Sequence, residues 1–123
     1  MVYATFHHLK DRNAYVASVD GHAGFAEMGK DVVCAGASMF AMGLAQCVLQ
    51  MHAEGKLEKK PTVTVHKGEV SVVGKPRPEH EDELRHYFHM AQVGLRLLQE
   101  SYPNHVSLKL YEATLPEEEG DSE

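Results

Sequence analysis

The stretch Val32-Val33-Cys34-Ala35-Gly36-Ala37-Ser38-Met39-Phe40-Ala41-Met42-Gly43-Leu44-Ala45 holds one polar side chain, Ser38. Asp31 before it is a good N-cap and Gly55 after it is a stop signal, so the sequence predicts a helix from Val32 to about Glu54. A helix on the outside of a fold carries a polar stripe, and the first part of this one does not. Nearly its whole girth must therefore be covered, by sheet on more than one side or by a partner chain. Gly36 and Gly43 each cost about 1 kcal/mol relative to Ala in a helix, which points to places where another backbone comes close.

The rest of the chain supplies short strands and one further helix. Residues 2–7 alternate Val2/Ala4/Phe6 with Tyr3/Thr5/His7, the pattern of a strand. Turn residues at Leu9-Lys10-Asp11-Arg12-Asn13 lead into a second strand at Tyr15–Val19, antiparallel to the first. Thr62–His66, Lys67-Gly68 and Glu69–Val73 read as a hairpin. Pro76 and Pro78 end it and introduce a second helix at about Glu79–Glu100, with Leu84, Tyr87, Phe88, Ala91, Leu95 and Leu98 on its apolar face. Val106/Leu108/Leu110 alternate through a last strand. The fold class is α+β, in the order β-β-α-β-β-α-β, with two helices packed against a mixed sheet. All 123 residues fit one domain, with its body at 1–115 and an acidic, disordered tail at 116–123.

The formal net charge of -6 makes the chain a poor binder of nucleic-acid backbones and favours basic partners. No apolar run approaches the roughly 20 residues of a membrane span. The first residues lack the basic leader and apolar stretch of a signal peptide, so a cytoplasmic location is expected. With only Cys34 and Cys47, a disulfide framework is not expected.

Chemistry concentrates around Cys34. It falls in the first turn after the Asp31 cap, where unspent N–H groups and the helix dipole favour an anion. A free thiol with a pKa of ~8.5 is only a few per cent thiolate at neutral pH, so a nucleophile needs such help or a nearby imidazolium. Three glycines between Gly21 and Gly29 argue for a pliable loop that ends at this helix, and His22 stands near its start. If the loop brings them together, His22 is the base and then the acid for acyl transfer through Cys34, with amides near the helix start holding the oxyanion. Asp31 either orients the base or opposes thiolate formation. Ser38, one turn beyond Cys34, either bonds the sulfur or satisfies a neighbour. The competing reading is a buried, inert Cys34.

The segment Gly21-His22-Ala23-Gly24 followed by Gly29-Lys30-Asp31-Val32-Val33-Cys34-Ala35-Gly36-Ala37-Ser38 resembles the signature of the ribosomal-processing cysteine protease family Prp. Gly36 and Ala37 depart from it, since that family commonly has Ala and a larger aliphatic there. The resemblance implies a dimeric α/β sandwich and a Cys–His protease without cofactor. It implies Cys34 as nucleophile, His22 as base and Gly21, Asp31 and Ser38 in support, with the loop between His22 and Asp31 closing over the peptide. The implied substrate is the precursor of bacterial large-subunit ribosomal protein twenty-seven, which loses a short N-terminal extension that is hydrophobic and aromatic near the cut. The alternative is a non-catalytic dimeric module that binds a basic ribosomal protein or assembly intermediate.

Other features are read as structural. Cys47 is read as a core residue, and Met39, Met42 and Met51 as core or interface filler. His86 and His89 form an i, i+3 pair on a charge-rich face with too few ligands for a metal site. His7, His8, His52, His66 and His105 are read as scattered surface residues.

Overall fold

Alternation decides which face of each strand is dry. In β1 (Val2–Leu9), Val2, Ala4 and Phe6 are buried on one face while Tyr3 is exposed on the other. The chain turns at Asn13, whose φ of 49° lies in the left-handed region that Asn tolerates, and returns as β2 (Ala14–Gly21). The two strands pair antiparallel from Val2↔Gly21 to Leu9↔Ala14. The computed structural model describes residues 1–21, 28–66 and 68–113, and of 28–31, 112 and 113 the backbone alone. The chain continues through α1 (Met28–Ala53), β3 (Thr62–His66), β4 (Glu69–Gly74), a 3-10 turn at Pro78–His80, α2 (Glu81–Ser101) and β5 (Val106–Ala113). The strands form one mixed sheet in the order β3-β4-β2-β1-β5, with β1 and β5 parallel and the other neighbours antiparallel. This is the α+β order read from the sequence.

Both helices lie on one face of the sheet. α1 buries Val33, Cys34, Ala37, Ala41, Leu44, Ala45, Val48 and Met51, and α2 buries Leu84, Phe88, Ala91 and Leu95. At the far end of β2, the Tyr15 hydroxyl donates to the Glu81 carboxylate at 3.0 Å and ties the sheet to the first turn of α2. Burial, reinforced by that carboxylate, pushes the Tyr15 phenol up to about 12. Gly55 ends α1 as expected, with φ 76° and the Lys56 N–H donating back to the Met51 carbonyl at 3.0 Å.

Four expectations need correction. First, α1 begins at Met28, three residues before the expected cap, so Asp31 lies inside the helix and 28–31 are not loop. The expected loop from His22 and the expected tail at 116–123 otherwise lie outside the described residues. Second, the cover of α1 is incomplete within one chain: Val32, Ala35, Met39, Met42 and Gly43 form an exposed stripe, because sheet and α2 occupy only two sides. Third, Gly36 and Gly43 do not meet the backbone of another element of the chain. Gly36 faces the Leu98 side chain, and nothing stands within 4 Å of a Cβ placed at Gly43. Fourth, α1 is apolar enough by length and mean hydropathy to cross a bilayer, because Val32–Ala53 carries no Asp, Glu, Lys or Arg even though Ser38 and the glutamines interrupt its apolar run. Its buried face packs as the core helix of this fold.

The close approach of the two helices falls instead at Gly94 of α2, where a Cβ would overlap the Phe40 ring. Gly94→Ala should therefore lower stability by about 1–3 kcal/mol through overpacking. Gly43→Ala should raise it by up to about 1 kcal/mol through helix propensity. Urea unfolding of both variants checks the pair, and similar shifts for the two would refute the packing argument.

Candidate active site

Cys34 sits on the face of α1 turned toward the sheet and is 9% exposed. It lines a cavity of about 220 Å³ between α1 and one end of the sheet. The helix wall is Cys34, Ala37, Ser38, Ala41 and Met42; the sheet wall comes from Val19 and Gly21 of β2 and from the tip of the β3–β4 hairpin. Ser38 is exposed and lies one turn beyond Cys34, so both side chains reach the same space.

Gly21 is held from two sides. Its N–H donates to the Gly68 carbonyl at 2.7 Å, tying the end of β2 to the hairpin turn. A Cβ at Gly21 would come to 2.8 Å from Val2 Cγ2, so the core valine beside it leaves no room for a side chain. This gives the glycine a reason that needs no loop flexibility. Three of the expected site residues, Gly21, Cys34 and Ser38, thus share one cavity. His22 lies outside the described residues, and of Asp31 only the backbone is described.

The earlier start of α1 changes where Cys34 stands in the helix. α1 starts before Asp31, so Cys34 stands in the second turn with its own N–H inside the helical ladder.

Sequence reading missed the hairpin tip. Val65, His66, Gly68 and Glu69 all border the Cys34 cavity, and His66 is the histidine that the structure brings to it among the described residues. No local signal marks His66, because its position depends on how β3 and β4 register with β2. A larger cavity of about 420 Å³ lies at the opposite end of the sheet and gathers His7, His8 and His89, with His7 stacked on Tyr111 and His8 on Tyr15. These histidines line that cavity rather than being scattered, yet among the described residues no three His, Cys, Asp or Glu side chains form a metal-binding group. His86 and His89 are exposed on α2.

Cys34 and Cys47 are in no disulfide. Cys47 lines an apolar groove with Met39, Phe40, Tyr87 and Met90, away from the Cys34 cavity. Burial, and then the charge of Glu83, pushes its thiol above the ordinary value. In a Cys34→Ser chain, iodoacetamide should therefore label Cys47 more slowly at pH 7–8 than it labels a free cysteine peptide. The rate should still be climbing at alkaline pH where the peptide has levelled off, as followed by mass spectrometry. A plateau at the same pH as the peptide would contradict this.

The family model described as cysteine protease Prp matches residues 1–107. A crystal structure of SMU.848 from Streptococcus mutans superposes with a TM-score of 0.69 at 22% identity, covering 92% of this chain and 96% of that one. The essential ribosomal processing protease Prp from S. aureus, in complex with a substrate peptide, superposes with a TM-score of 0.68 at 21% identity, covering 89% of this chain and 99% of that one. The same S. aureus protease with a covalently linked product peptide gives 0.64 at 23% identity, covering 89% and 99%. At these identities the structures establish the shared fold. A comparison with curated proteins gives no match.

Proposed function

The chain belongs to the cysteine protease Prp family, and we propose that Cys34 is its nucleophile, His22 its base, and the precursor of large-subunit ribosomal protein twenty-seven its substrate. The observation that carries this reading is the convergence of Gly21 from the end of β2 and Cys34 and Ser38 from α1 on one cavity. His22 follows Gly21 directly in the sequence, and Gly21 lines the cavity. The net charge of -6 suits a basic ribosomal protein as substrate. The family match favours this reading over a non-catalytic binding module.

In the proposed reaction, His22 takes the Cys34 proton and the sulfur attacks the scissile carbonyl. The tetrahedral intermediate collapses to a thioester as the imidazolium gives its proton to the departing amine. The departing amine is the shortened protein; water, deprotonated by the same imidazole, then releases the N-terminal extension as a carboxylate and restores the thiol. Gly21 fixes the chain from which His22 departs, and Ser38 offers a hydroxyl beside the sulfur. Asp31 has a supporting role at the start of α1. The proposed enzyme works in the cytoplasm as a homodimer, in which a second copy covers the stripe of Val32, Met39 and Met42 left bare on α1.

The presence of His66 on the cavity supports a second assignment of the base, and one experiment separates the two. A peptide copying the N-terminus of the ribosomal-protein precursor is incubated with each variant under reducing conditions and read by mass spectrometry. Wild type should remove the hydrophobic extension, and Cys34→Ser should leave it intact. His22→Ala should lower kcat by roughly 10²–10⁴, the usual loss for a general base, while His66→Ala should retain cleavage. The reverse pattern would move the base to the hairpin.

A further inference from the structure

The two edges of the sheet are guarded differently. β5 carries Lys109 and Glu112 within the strand, and charges are a common defence against pairing with another chain. β3, the other edge, reads Thr62-Val63-Thr64-Val65-His66 and carries no Lys, Arg, Asp, Glu or Pro. Val65 is 51% exposed.

The register fixes which backbone groups of β3 are already used. The Gly68 carbonyl accepts from Gly21, so Gly68 points toward β2. Backbone direction alternates along a strand, so Val70 and Val72 also point to β2, and Glu69, Ser71 and Val73 point to β3. Their partners His66, Thr64 and Thr62 make the ladder bonds. The N–H and C=O of Val63 and Val65 therefore point away from the sheet, and no described backbone group bonds them. This open edge runs directly into the Cys34 cavity, which Val65 and His66 both line.

We propose that β3 is the docking edge for substrate, where an extended peptide adds as a further strand through the backbone of Val63 and Val65. The inference rests on Cys34 as the nucleophile, because the edge then delivers a peptide carbonyl to the sulfur. Val63 and Val65 stand opposite Val72 and Val70, which are buried beneath the helices. Every second side chain of the added strand therefore falls on the helix side, where Val65 and Met42 line the cavity. The edge selects an extended peptide with apolar side chains at alternate positions beside the cut, and backbone pairing supplies affinity.

Val65→Pro removes one outward N–H and leaves the β3–β4 ladder intact, since proline is tolerated at such edge positions. Val65→Thr keeps the N–H and serves as control. Each is placed in a Cys34→Ser chain, and binding of the fluorescently labelled precursor peptide is followed by anisotropy; cleavage is measured in parallel in the chain that keeps Cys34. Val65→Pro should weaken binding by up to about tenfold, the scale of one hydrogen bond, with Val65→Thr near the parent. Peptides N-methylated at single positions should lose affinity at alternate residues only, which carries the test even where the proline variant folds poorly. Equal binding by the proline and threonine variants, or even tolerance of N-methylation along the peptide, would overturn the proposal. So would a change of oligomeric state in Val65→Pro with peptide affinity intact, which assigns the edge to a second copy. Edge-dependent binding without cleavage by the chain that keeps Cys34 would sink the assignment of nucleophile and substrate while leaving the docking edge in place.

Discussion

Covering a long uncharged helix is the constraint from which the rest of the molecule follows. Between Val32 and Ala53 no side chain carries a formal charge, so α1 forms a stable part of the fold only where apolar surface meets it. The sheet covers one side and α2 another, and Phe40 packs so tightly against Gly94 that the second helix cannot carry a larger residue there without displacement. Removing this cover would expose the face that holds Cys34, so the packing that stabilises the helix also keeps the sulfur at the sheet.

The cavity lies where that cover stops. α1 runs along the sheet, and near its N-terminal end the hairpin tip and the end of β2 stand off from it, leaving space beside Cys34. The bond from Gly21 to Gly68 holds two parts of the opposing wall together. Cys34 is therefore placed by a long packed helix and its opposing wall by a pinned sheet end. Such placement on rigid elements suits catalysis, which depends on holding reacting atoms in near-attack geometry.

Much of the fold was legible because it is written in local patterns. The alternation at Val2/Ala4/Phe6 and the apolar face Leu84/Phe88/Ala91/Leu95 gave their elements directly, and Gly55 marked the end of α1. The start of α1 was misplaced because Asp31 has the chemistry of a cap, while nothing local distinguishes a capping aspartate from one in the first turn. Gly43 and Gly94 show the limit of reading glycines in isolation: each is compatible with close packing, and only the facing surface says which one meets it. At the site, Cys34, Ser38 and Gly21 were accessible through a spaced motif. Val65, His66 and Glu69 were not, because their approach to Cys34 arises from strand order and register, which no single stretch of sequence contains.

The pairing of Val2 with Gly21 also has a practical side. Because Gly21 lines the Cys34 cavity, the first residues of β1 lie at the same end of the sheet as the sulfur. Ala113 ends β5 beside Leu9, about 25 Å away along strands of this length. A purification handle fused ahead of Met1 emerges next to the mouth of the cleft and competes there with whatever chain is meant to enter. Ala113 closes β5 at the opposite end of the sheet, so that end of the fold stands clear of the cleft.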